Sequence, residues 1–213
     1  MKSTRIIAIR HGETAWNVDT RIQGQLDIPL NEVGRWQAER AALALADQGI
    51  DHLYASDLTR AWQTAQAIAE KTGRSVQAEK GLRERGFGEF EGLTFDEIET
   101  QRPEQALRWR QRDPHFAPPG GESLLTFRER IISTTLALAE RHAGEHVVLV
   151  AHGGVMDVLY RAATGQDIQA ARSWNLGNAT INRLLWTPQG LTLVGWGDSR
   201  HLDHKEALDE SST

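Results

Sequence analysis

The sequence contains no cysteine. Within this chain that excludes disulfides, thiolate metal sites and a cysteine nucleophile, and with the last the cysteine route to phosphate-ester hydrolysis. It also has no long apolar run. Nothing approaches the roughly 18 residues that a spanning helix needs, and the first residues hold too short an apolar segment for a signal peptide. The expectation is a cytoplasmic protein that does not engage a membrane. Positive charge is in deficit: the net charge is −5, which argues against non-specific nucleic-acid binding. Charge blocks, low-complexity tracts and long internal repeats are absent too, so no tail or array suggests a macromolecular partner.

What is present suits a globular enzyme. The 213 residues suffice for one sizeable domain, with 39% hydrophobic and 25% charged residues. Seven tryptophans read as packing and interface residues. Short apolar runs at residues 6–9, 52–55, 75–78 and 147–151 read as buried strands. Helical patterns fall at 35–47, 58–72, 123–142 and 155–163, the second capped by Ser56 or Asp57 and stopped by Gly73. Residues 180–186 and 191–196 flank Pro188-Gln189-Gly190 and read as an edge hairpin. Strands alternating with helices predict an α/β class, three-layer α/β/α, with a mainly parallel sheet. Residues 1–200 read as one catalytic domain, about 82–122 as an inserted lid, and 201–213 as a polar, flexible tail.

Two of the apolar strands end alike, one in Arg10-His11-Gly12 and the other in Ala151-His152-Gly153. Were the strands parallel neighbours, both imidazoles would reach the carboxyl end of one sheet, where α/β folds bind ligands. The glycines would let a ligand approach the backbone. Arginine holds phosphate bidentately and stays charged, and a neutral imidazole is a competent nucleophile toward phosphorus. A zinc reading lacks support, since there is no His-Glu-x-x-His and no cysteine.

Arg10-His11-Gly12-Glu13-Thr14 with Trp16-Asn17 resembles the nucleophile motif of the histidine phosphatase superfamily, which includes cofactor-dependent phosphoglycerate mutases. Further matches follow in order: Gln23-Gly24 with Gly34, Ser56-Asp57-Leu58 with Arg60, Leu82-Arg83-Glu84, Gly120-Gly121-Glu122-Ser123, Ala151-His152-Gly153-Gly154, and Asn178. The resemblance spans about residues 5–197. It implies that His11 attacks phosphorus, that Arg10, Arg60 and His152 clamp the phosphoryl group, and that Glu84 is the general acid, aided by burial under the lid. Asn17, Gln23, Gly24 and Gly153 are implied pocket residues. Glu13 reads as structural, and His201 and His204 read as solvated.

The resemblance implies a metal-independent phosphatase for a small phosphorylated metabolite, with no cofactor. A cofactor-dependent mutase and a non-catalytic phospho-ligand binder are the alternatives. A mutase needs extra lid cations. Arg102, Arg108, Arg110 and Arg112 lie in a helix-like run that faces solvent as readily as a site. Phe87, Phe90, Leu93, Phe95 and Trp109 suit either lid packing or an apolar part of a ligand. The apolar edge hairpin is a candidate homodimer surface.

Overall fold

The computed structural model of the chain describes residues 2–203. Strand β1 (Thr4–Arg10) is followed by a one-turn helix α1 (Ala15–Val18) and by α2 (Glu32–Leu45). Next come β2 (His52–Ala55), α3 (Thr59–Thr72) and β3 (Val76–Ala78). The segment that follows holds 3-10 turns at Lys80–Leu82 and Gly88–Phe90 and two short helices, α4 (Phe95–Gln101) and α5 (Pro103–Arg110). Then α6 (Leu124–Arg141), β4 (His146–Ala151) and α7 (Gly153–Thr164) lead to the hairpin β5 (Ile181–Thr187) and β6 (Gly190–Asp198).

One sheet of order β3-β2-β4-β1-β5-β6 results. The pairs β3–β2, β2–β4 and β4–β1 are parallel, and β5 and β6 complete the sheet through antiparallel pairing. The period-2 alternation of a strand explains the layers. Ile6, Ala8, Val147 and Leu149 face one core with α6 and α7, while Ile7, Ile9, Val148 and Val150 face the other with α2 and α3. Buried on both faces, residues 6–9 of β1 and 147–151 of β4 are therefore all apolar, which is why they read clearly in the sequence. Each buried isoleucine, leucine or valine among them contributes about 1.5–3 kcal/mol on burial. A third cluster, Phe90, Ile98, Ala106 and Phe116, holds α4 and α5 together.

Some boundaries differ from expectation. Helix α2 starts at Glu32 rather than 35, because the Asn31 side chain accepts from Gly34 N at 2.8 Å. Gly34 resembles a break but is needed there: a Cβ on it would lie 2.0 Å from the Glu13 carbonyl oxygen. Neither Ser56 nor Asp57 caps α3. Its N-cap is Leu58, and Asp27 from a distant loop accepts from Thr59 N at 2.6 Å. His201, read as solvated, is half-buried, with its Nε2 3.0 Å from the Ala179 carbonyl. His204 and the rest of the expected tail lie outside the described residues.

Candidate active site

Register brings the two histidines together. Arg10 pairs with Ala151 across β1 and β4, and His11 N extends the ladder by donating to Ala151 O at 3.0 Å. The next residues, His11 and His152, lie with ring centroids 5.3 Å apart, and they are 3% and 0% exposed. His11 Nδ1 is 2.7 Å from the Gly12 carbonyl oxygen, which can only accept, so Nδ1 carries the proton. Burial, with Arg60 and Arg10 nearby, holds the His11 imidazole well below its usual pKa. The ring is then neutral at pH 7, with a lone pair on Nε2. His152 is also depressed, by burial and then by the charges of Arg60, His11, Arg10 and Arg130. Its Nε2 lies 2.8 Å from Ser56 Oγ.

The arginines are deeply held. Arg60, 1% exposed, donates to Gly24 O at 2.7 Å and to Leu26 O at 2.8 Å. Burial lowers its pKa to about 10, which leaves it charged at neutral pH. Arg10 donates to Leu176 O. Both Nε atoms, together with His152 Nδ1 and Gln23 Oε1, are buried without a partner. Buried polar groups are normally satisfied. Four that are not, all on candidate site residues, mark a place that a polar ligand completes.

Glu84 was expected to be buried under the lid. It is half-buried instead and does not pair with its neighbouring arginines. Arg83 pairs with Asp57, and Arg85 donates to the carbonyls of Glu122 and Phe116. Glu84 Oε1 accepts from Arg85 N at 2.8 Å, and Oε2 accepts from Gly154 N at 2.9 Å in the first turn of α7, which fixes the carboxyl group in place. A Cβ on Gly154 would lie 2.3 Å from Glu84 Oε1, so a side chain there would push the carboxyl group out of this position. The acid loop is buttressed by Arg130, which donates to the carbonyls of Gly81, Arg83 and Glu84 and pairs with Glu122 at 2.7 Å.

The two glycines beside the histidines differ. The space at Gly12 is taken by α2, since a Cβ there would sit 2.3 Å from Gly34 O. A Cβ at Gly153 would meet the Arg10 side chain only at ordinary contact distance, 3.4 Å, and Gly153 borders the open space of the site. Asn17 is tied into a capping box with Thr14, and Asn178 donates to His11 O at 2.9 Å and reaches Asn17 at 3.4 Å. Glu13 accepts from Asn31 at 2.8 Å, a structural role.

Two contiguous cavities open here. The inner one, about 180 Å³, is lined by His11, Arg10, Arg60, Asn17, Gln23, Gly24, Glu84 and Gly153, among others. The outer one, about 550 Å³, shares Arg10, Glu84, Phe87, Trp109 and Gly153 with it and adds Arg85, Arg112, Asp157 and Arg172. Of the four lid arginines, Arg102, Arg108 and Arg110 pair with Glu89, Asp113 and Glu99 at the surface. Of the four, Arg112 is the one that lines either of these two cavities. The aromatic lid residues mostly pack one another: Trp109 lies 5.4–5.7 Å from the rings of Phe87, Phe90 and Phe95.

Sequence reasoning missed Arg85, Arg130, Asp157 and Arg172. Asp157 and Arg161 are spaced i, i+4 and read as an ordinary helix pair. It also missed His52, His142 and Glu145, which converge at the opposite end of the sheet. Both imidazoles lie 2.9 Å from Glu145 Oε2. Among the described residues this is the one group whose ligand atoms could hold a metal, and it is remote from His11.

A sequence profile of the histidine phosphatase superfamily (branch 1) matches residues 6–199. The chain belongs to the histidine phosphatase superfamily. It is 40% identical to phosphoglycerate mutase-like protein 4 of Arabidopsis thaliana, with 93% of this chain and 86% of that protein covered. It is 37% identical to glucosyl-3-phosphoglycerate phosphatase of Mycobacterium tuberculosis, covering 88% and 89%. A solved structure of an Entamoeba histolytica phosphoserine phosphatase mutant in complex with phosphoserine superposes with a TM-score of 0.85 at 28% identity, covering 93% and 99%. This histidine phosphatase fold thus recurs in enzymes named as phosphatases and in one named as mutase-like.

Proposed function

We propose that the protein is a metal-independent phosphatase that hydrolyses small phosphate monoesters through a phosphohistidine at His11. The observation that carries this reading is the neutral His11 ring, its Nδ1–H pinned to Gly12 O. It sits in a cavity wall with the buried Arg60, the half-buried Arg10 and a carboxyl group. His11 Nε2 attacks phosphorus, the ester P–O bond breaks, and Glu84 gives a proton to the departing oxygen. A water molecule then attacks the phosphohistidine while Glu84 takes its proton, releasing phosphate and the neutral imidazole. Arg10, Arg60 and His152 hold the charged oxygens, supplying the positive charge that a metal supplies elsewhere. Asn17, Gln23, Gly24 and Gly153 shape the cup.

Hydrolysis is favoured over isomerisation because three of the four lid arginines are committed to surface ion pairs. Names of relatives point both ways, and the phosphatase relatives act on small phosphorylated compounds by name. In the same reading residues 1–200 work as one catalytic domain, with about 82–122 as its lid. The location is cytoplasmic: no described helix is long and apolar enough to cross a membrane, which is compatible with this. The β5–β6 hairpin, with Val194 64% exposed, is a self-association surface to be checked by sedimentation.

The test is phosphate release from p-nitrophenyl phosphate in excess EDTA, for the intact protein and His11→Ala side by side. Activity that survives EDTA and vanishes in the variant is expected. Undiminished turnover by His11→Ala contradicts the mechanism. Net conversion of 3-phosphoglycerate to its isomer, stimulated by a bisphosphoglycerate primer and faster than phosphate release, contradicts the choice of hydrolysis.

A further inference from the structure

At the end of the sheet opposite His11, three parts of the chain meet. Strand β2 begins at His52, α6 closes on its C-cap His142, and Glu145 immediately precedes β4. The six residues of β4 set this end about 20 Å from His152. The three side chains converge. His52 Nε2 and His142 Nδ1 each lie 2.9 Å from one oxygen, Glu145 Oε2, and the three atoms fall within 4.8 Å of one another. The far nitrogen of His142 is engaged as well: its Nε2 lies 2.9 Å from the hydroxyl of Tyr54, which is buried. The backbone beneath is fixed. Glu145 N donates to His142 O at 3.0 Å, Arg5 N donates to Glu145 O at 3.1 Å, and Thr4 Oγ1 donates to His142 O at 3.2 Å.

We propose that His52, His142 and Glu145 form a zinc site, with water in the fourth position. Imidazole nitrogen and carboxylate oxygen are zinc donors, and around a tetrahedral ion at 2.0–2.1 Å such atoms lie about 3.4 Å apart. The 2.9 Å separations need only a small opening. The two rings stack with centroids 3.7 Å apart and tilted by 28°, so one nitrogen must turn toward the ion. His52 is half-buried and Glu145 exposed, and these two adjust, while the buried His142 stays in place. With Nδ1 on the metal, His142 Nε2 carries the proton and donates it to Tyr54 Oη, the outer bond that orients a ligating histidine. The exposed side of Glu145 leaves room for the water. The ion would tie the starts of β2 and β4 to the end of α6. At this distance from His11 it takes no part in phosphoryl transfer, which stays metal-independent.

Binding of the metal alone is the test. Metal-stripped protein would be titrated calorimetrically with zinc chloride, at a pH where the imidazoles are neutral, as the intact chain, His11→Ala, His52→Ala and Glu145→Gln. One zinc per chain should bind to the intact protein and equally to His11→Ala. His52→Ala and Glu145→Gln, both at positions that are not deeply buried, should each weaken binding at least about tenfold. Zinc should also raise the thermal midpoint of the intact protein and leave that of His52→Ala unchanged. No binding up to about 0.1 mM zinc, or binding that both ligand variants leave intact, overturns the site. Binding lost in His11→Ala alone would put the metal in the phosphate pocket and overturn it equally.

Discussion

The inner and outer cavities share a wall but are built on different principles. The inner one is made at strand ends and helix starts. Its histidines follow β1 and β4, its carboxylate sits on the first turn of α7, and Arg60 is buried in the first turn of α3. These groups are fixed by a rigid sheet and by backbone hydrogen bonds, so their geometry is set before a ligand arrives. The outer cavity is made from the lid, from one face of α7 and from the loop before β5. There a single aspartate, Asp157, balances Arg112 and Arg161. In the proposed mechanism the inner region supplies the reaction, and the outer one bounds the space through which an ester reaches it.

Substitutions should therefore separate the regions by size of effect. The largest belongs to the nucleophile: His11→Ala should lower kcat by about 10⁴-fold or more, as for other covalent nucleophiles, in steady-state phosphate release. Glu84→Gln should follow, with a loss of about 10²–10⁴-fold on an alkyl phosphate. The loss should be much smaller on p-nitrophenyl phosphate, whose leaving group needs little protonation. Equal losses on both esters would remove Glu84 from the acid role. Arg60→Lys keeps the charge but loses the fork that grips Gly24 and Leu26 carbonyls. It should cost about 1.5–3 kcal/mol in kcat/KM, about 10–150-fold, on every ester alike. A substitution in the outer cavity should instead change the ranking of esters.

A smaller effect concerns pH. His11 and His152 have folded-state pKa values depressed below the ordinary 6.5. Below about pH 6.5 the unfolded chain takes up protons that the folded chain does not. Stability present above that pH is then lost as pH falls, by up to about 1.4 kcal/mol per unit for each histidine. Denaturant midpoints measured from pH 7.5 to 5.5 should decline. Inorganic phosphate should flatten the decline by letting His152 accept a proton beside the bound anion. A midpoint that rises on acidification would show that these rings are not held neutral.

Much of the inner site was legible because its chemistry demands uncommon residues at marked places. A histidine and glycine closing an apolar strand, twice, is a pattern that packing alone does not ask for. The parallel layers were legible for a related reason: the middles of β1 and β4, residues 6–9 and 147–151, are buried on both faces and wholly apolar. What stayed hidden depends on long-range contacts. Nothing near Gly34 in the sequence says that it packs on Gly12, and nothing near Thr59 says that Asp27 caps it. Arg112 could not be told from Arg108 or Arg110, since all three share one polar run. A left-handed residue after α5 turns Arg112 inward while the others pair at the surface. Asp157 was masked by an everyday helix spacing, and its orphan oxygen exists only in three dimensions.

The central claim is a covalent bond between His11 and phosphorus. The direct measurement is rapid-quench trapping with a radiolabelled phosphate ester, followed by peptide mapping. Label that is stable to base, labile to acid and located on the His11 peptide is predicted, appearing no later than free phosphate. Single-turnover hydrolysis with no protein-bound label at any time, or label on another residue, would contradict the account.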